Sequence, residues 1–241
     1  SRMKRALFII PLLLFCMCYT NVKAQYLNGT TGLLTIPTAD MQPDGTFMCG
    51  ANYLQHEVTS GYTDKDAVNY LLNITFLPFL EVGYLCTVKR TSDGVLHQDR
   101  AISVRLRALK EAKWYPSIVV GSGDILTTDQ NGNIFETVEK NNYYSGIYGV
   151  MTKHFNIAQE QIGVTLGYTY DTQERFSNDG VLCGVSYRPS FYPNCQFMAD
   201  MKSEKVSIGA AVKLFNHLSV SVFCYDFKAF AGGLRYEIDL Y

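Results

Sequence analysis

Between Asp66 and Arg90 the chain alternates residue by residue. Val68, Tyr70, Leu72, Ile74 and Phe76 are apolar, and between them stand Ala67, Asn69, Leu71, Asn73 and Thr75. After Leu77-Pro78-Phe79-Leu80 the alternation resumes, with Val82, Tyr84, Cys86 and Val88 against Glu81, Gly83, Leu85, Thr87 and Lys89. A period of two means strands, because successive side chains point to opposite faces. Two such runs around a tight, proline-containing break read as a hairpin. Each run is roughly ten residues, the length that crosses a bilayer as a tilted strand.

The unit recurs. Phe47–Tyr53, Ile102–Ala108, Ile162–Tyr170, Val181–Arg188, Cys195–Lys202, Val206–Leu214, Leu218–Cys224 and Leu234–Leu240 all alternate. Stretches 117–126 and 143–155 also read as strands, with neither parity winning. The run from Ile102 continues into Leu109–Lys113 with good helix propensity. Strand is preferred there, because Arg105 and Arg107 in strict alternation suit a wet interior. The total is about twelve strands, an even number, as single-chain bacterial barrels have. Connections after even-numbered strands are short, and several after odd-numbered ones are long and polar, which is the outer-membrane pattern.

These features predict an all-β fold, an antiparallel transmembrane β-barrel over residues 46–241. A soluble sandwich or ligand-carrying barrel would instead turn the apolar face inward. Three features favour lipid: the small polar residues of the other face, the aromatics at the short turns, and the final alternating strand. Composition agrees. Charged residues are 18%, with 17 Tyr against 1 Trp, and a mean hydropathy of -0.01 is too low for a helical membrane protein. A barrel's two faces cancel in such a mean. The net charge of -1 gives no footprint for nucleic acid.

Residues 1–24 read as a signal peptide: Lys4 and Arg5, an apolar stretch from Leu7 to Met17, and small residues before Gln25. A rival reading lipidates Cys18, although Met17 stands where that machinery wants a small residue. Export to a Gram-negative outer membrane follows. Cys49, Cys86, Cys183, Cys195 and Cys224 fall on the apolar parity and are expected as unpaired, lipid-facing residues. Residues 25–45, rich in Gly and Pro, are either a lead-in loop or a segment folded into the lumen as a partial plug.

Four motifs carry a family resemblance. They are Gly29-x-x-Gly32-Leu33-Leu34-x-x-Pro37-Thr38-Ala39, Tyr115-Pro116-Ser117-Ile118-Val119-Val120-Gly121-x-x-Asp124, Tyr148-x-Val150-x-x-Lys153-His154-Phe155 and Gly184-Val185-x-Tyr187-Arg188-Pro189. In order and spacing the chain resembles the YjbH family of outer-membrane proteins linked to exopolysaccharide and group 4 capsule systems. The resemblance implies an accessory of polysaccharide export or surface assembly, with lipids and export-machinery proteins or polysaccharide as partners. Where the family carries Gly-Thr-Gly after the Asp, this chain has Thr127-Thr128-Asp129.

His56, His97, His154 and His217 form no pattern of a nucleophile with its base, so no enzyme is expected. No cofactor is expected, and no Cys/His cluster suits a metal. The informative residues are the inward charges: Glu81, Lys89, Arg105, Arg107, Arg188, Asp200, Lys213, Arg235 and Glu237, with Asp124 joining if its strand turns that way. Ionisable groups in a membrane protein face protein or water and pair. They form either a closed, salt-bridged lumen or a path for an acidic polysaccharide. In the second case Arg105 and Arg107 would clamp carboxylates. Glu81 or Glu237 is the expected partner of the arginines. An alternative function is a structural or partner-binding barrel without transport.

Overall fold

The computed structural model describes residues 26–59, 65–90, 94–125, 143–171 and 179–240. The expected signal peptide and Thr127–Asp129 lie outside these residues. Twelve strands form: β1 (Thr46–Leu54), β2 (Ala67–Leu77), β3 (Leu80–Arg90), β4 (Leu96–Leu109), β5 (Ser117–Ser122), β6 (Ile147–Ile157), β7 (Glu160–Tyr170), β8 (Gly180–Arg188), β9 (Cys195–Lys202), β10 (Lys205–Leu214), β11 (Leu218–Tyr225) and β12 (Ala229–Asp239). Each pairs antiparallel with its sequence neighbour, and β12 returns to β1. The closing register runs from Thr46 opposite Asp239 to Leu54 opposite Ala231. Closure removes both edges, so no strand is left to template pairing with another chain.

Alternation sets the two faces. In β2, Leu71 is 2% exposed while Tyr70 and Leu72 are 55% and 46% exposed. The stretch beginning at Ile102 is strand as far as Leu109 and belongs to a longer β4. In β5 and β6 the inward side is also apolar: Val119 and Val150 are fully buried. Neither parity stood out because both faces of these strands need apolar residues.

The two ends differ. One end carries the turns at 78–79, 110–116, 158–159, 189–194 and 215–217, and at the other end β1, β3, β5 and β7 stop where β2, β4, β6 and β8 begin. The second end also has the tight connection Ser203-Glu204, where both residues have positive φ, 48° and 70°. Two successive positive φ values match the right-handed twist of the flanking strands. Cys49, Cys86, Cys183, Cys195 and Cys224 are all free thiols, four of them half-buried and Cys195 buried.

Candidate functional site: the filled lumen

Residues 26–42 lie inside the barrel, and Pro43 and Asp44 are exposed where the chain leaves it. Leu33, Leu34, Ile36, Ala39 and Met41 are buried and cluster with inward residues of the wall, among them Val119, Val150, Leu182, Met198 and Phe223. The segment bonds to itself at a few points, among them Leu27 N to Leu34 O and Leu33 N to Ile36 O, and its other peptide groups need partners from elsewhere. The wall supplies them.

The first anchor is on β3 and β4, where Glu81 and Arg105 are opposite one another in register. Both are fully buried. Glu81 accepts the Thr31 amide at 2.7 Å and the Thr31 hydroxyl at 3.0 Å. Arg105 donates to the carbonyls of Thr31 and Thr38, and to that of Asp40 at 2.8 Å. Its Nε lies 3.6 Å from Glu81 Oε2. Asn73 of β2 ties the group together, donating to Gly29 O at 3.1 Å and Glu81 Oε1 at 2.7 Å.

The second anchor is Asp200 on β9. Its carboxylate accepts the amides of Leu34 at 2.7 Å and Thr35 at 2.8 Å, and the Thr35 hydroxyl at 2.7 Å. Charged acceptors shorten and strengthen such bonds. Smaller ties complete the hold. Asn52 and Asn69 donate to Leu27 O, Thr152 Oγ1 accepts the Ala39 amide at 2.8 Å, and Ser117 donates to Ala39 O at 2.9 Å.

Two glycines make the fit possible. The segment reverses tightly at 33–36, with the Leu33 amide on Ile36 O at 2.9 Å. A Cβ on Gly32 would meet that same oxygen at 2.4 Å. On the wall, a Cβ on Gly184 would meet Leu33 Cδ1 at 2.4 Å.

The inward charges therefore divide. Glu81, Arg105 and Asp200 hold the segment. Lys213 pairs with Glu237, which also accepts Ser219 Oγ at 3.2 Å. Glu237 is thus the lysine's partner and not an arginine's. Arg188 donates to Gln161 at 2.6 Å, and Arg235 to Leu234 O at 3.2 Å. Lys89 is half-buried near the long-loop end of β3. Arg107 is half-buried at the short-turn end and donates to Pro78 O. β5 stops at Ser122, and Asp124, just past its end, is buried and accepts the Ile102 amide at 3.2 Å. The carboxylate-clamp role is also corrected for Arg105, because its guanidinium is fully buried and spent on segment carbonyls and Glu81.

Sequence reasoning passed over the polar wall residues Asn73, Thr152 and Ser117 as anchors. Their only signal was inward parity, which many small polar residues share.

The fold and this site define a twelve-stranded antiparallel barrel filled by its own N-terminal segment. The chain belongs to the YjbH family: the family model, described as "Exopolysaccharide biosynthesis protein YbjH", matches residues 24–190. It is also similar to the "Uncharacterized lipoprotein YjbH" of Escherichia coli (strain K12), with 30% identity over 107 residues, 40% of this chain. The matched stretch spans 14% of that protein's length.

Proposed function

We propose that this chain is an outer-membrane barrel that serves exopolysaccharide export or surface assembly as an accessory, sealed in this state by residues 26–42. The observation that carries the reading is the seal: two buried anchors on opposite stretches of the wall hold one segment across the lumen. The exterior supports a membrane setting. Leu72, Val120, Leu166, Val185, Val222 and Leu234, from six strands, are exposed and apolar. Bands of exposed aromatics flank them, with Phe79, Trp114 and Phe191 at the short turns and Tyr170, Phe227 and Phe230 at the other end. Tyr and Trp rings favour the headgroup level. Most strands have 8 to 11 residues, close to the ~9–11 of a tilted membrane strand. The family description supplies the link to exopolysaccharide.

The filled lumen also favours a second reading, a partner-binding barrel without transport. This reading, like the first, assigns no catalytic step to the chain. Deleting the gene and measuring released polysaccharide tests the export role, which predicts a clear fall. Membrane fractionation of the same cells should find the chain in the outer membrane. In planar bilayers the wild type should conduct little and Asp200→Asn more. Unchanged polysaccharide in the deletion strain would contradict the export role.

A further inference from the structure

A cavity lies beside the segment, at the end of the barrel where β5 stops and β6 begins. It has a volume of about 110 Å3. Its floor is the segment itself, through Tyr26, Asn28 and Pro37. Its walls are Tyr143 and Tyr144 before β6, with Tyr148, Tyr225, Ser145 and Lys202. Tyr143 and Tyr144 meet edge to face, their centroids 5.0 Å apart at 89°, which forms a corner of two aromatic surfaces. Burial raises both phenols, Tyr144 to about 12, so both remain neutral hydroxyls.

We propose that this cavity binds one neutral sugar ring of a polysaccharide. The inference rests on the polysaccharide reading above and assigns it a place on the molecule. A sugar ring has apolar C–H faces and a rim of hydroxyls. Aromatic surfaces with a few convergent polar groups match both features. A purely apolar ligand would leave Lys202 desolvated without a hydrogen-bond partner. Among the described residues Lys202 makes no ion pair or hydrogen bond, yet Asp171 and Asp200 are its electrostatic neighbours. Two carboxylates near it, against one further lysine, Lys205, disfavour a third carboxylate, and the cavity suits hydroxyls better. The volume is on the scale of one ring, so a polymer would present a single residue here.

Saturation-transfer NMR on the full chain in detergent micelles tests this, with methyl glucoside and sodium glucuronate as probes. The wild type should transfer saturation to the glucoside ring protons, and more weakly to glucuronate. Lys202→Met and Tyr143→Ser should each weaken glucoside binding by about fivefold or more, the loss of one or two hydrogen bonds or a stacking face. Phe191→Ser, at the opposite end, should bind as wild type. Heat-modifiable gel mobility confirms that each variant is folded before it is compared. No transfer to the glucoside would overturn the inference. So would binding that both folded cavity variants retain, or a preference for glucuronate. The export reading fails separately, on the polysaccharide released by cells lacking the gene.

Discussion

Glu81 and Arg105 face each other in register on adjacent strands and grip the same residue, Thr31, from two sides. The carboxylate takes the Thr31 amide and hydroxyl, and the guanidinium takes its carbonyl. In a buried pair of this kind, removing one member leaves the other charge buried and uncompensated. Arg105→Leu and Glu81→Gln should each cost about 3–5 kcal/mol. The double variant should cost less than their sum. Urea unfolding in detergent measures this, and strict additivity would contradict the coupling.

Asp200 holds the far side of the segment. Asp200→Asn keeps the shape but replaces a charged acceptor with a neutral one. The loss should be about 1.5–3 kcal/mol, concentrated at residues 33–36. Limited proteolysis should then cut the segment faster while the strands stay intact. Equal cutting in both proteins would remove Asp200 from the account.

Val104 and Ser103 separate outside from inside. Val104→Arg places a charge on the apolar exterior, a cost of roughly 2–4 kcal/mol at mid-depth in a bilayer, and should block membrane assembly. Ser103→Arg meets a different obstacle. A Cβ on the neighbouring Gly83 would lie 2.5 Å from Ser103 Oγ and 3.2 Å from Thr30, so the segment leaves no room. That variant should assemble with its segment displaced, read as higher conductance. Better assembly of Val104→Arg than of Ser103→Arg would reverse the assignment of faces.

Glu111, in the 110–116 connection, sits at the short-turn end. Burial pushes its carboxyl up, but Lys153 at 2.8 Å and the His154 amide and ring, at 2.8 and 2.7 Å, outweigh burial and hold it below its ordinary value. A lowered carboxyl contributes stability above its unfolded value and loses it as pH falls through the folded one. Between about pH 5 and pH 3 the connection should loosen. Trp114, the sole tryptophan, reports this by its fluorescence, and Glu111→Gln should abolish the transition. A transition that survives in Glu111→Gln would assign it elsewhere.

The cysteines differ in exposure. A lipid-soluble maleimide should label Cys49, Cys86, Cys183 and Cys224 in membranes, and Cys195, which is 7% exposed, most slowly. Fast labelling by a charged maleimide would contradict the outward placement.

The strands were legible where the two faces differ in chemistry. In β2 the inward Asn69 and Asn73 contrast with the outward Tyr70 and Leu72, and parity can be read directly. It could not be read in β5 and β6, because Val119 and Val150 pack against the segment and look like outward residues. The inward setting of Arg105 was readable from its alternation. Its use was not, since its partners are backbone carbonyls, which carry no residue-type signal. Asp200 and Thr35 are 165 residues apart in sequence, and local pattern is silent on such a contact. The segment's own course was therefore open between a lead-in loop and a plug until its partners were seen.

The central claim is that residues 26–42 are held in the lumen by wall side chains. Hydrogen exchange of the full chain in detergent tests it most directly, at the amides of Thr31, Leu34, Thr35 and Ala39. All four amides donate to wall side chains, those of Glu81, Asp200 and Thr152. The account predicts exchange as slow as that of the β2 and β3 ladder amides, with Asp200→Asn releasing Leu34 and Thr35 first. Exchange at the rate of an unprotected peptide in the wild type would contradict it.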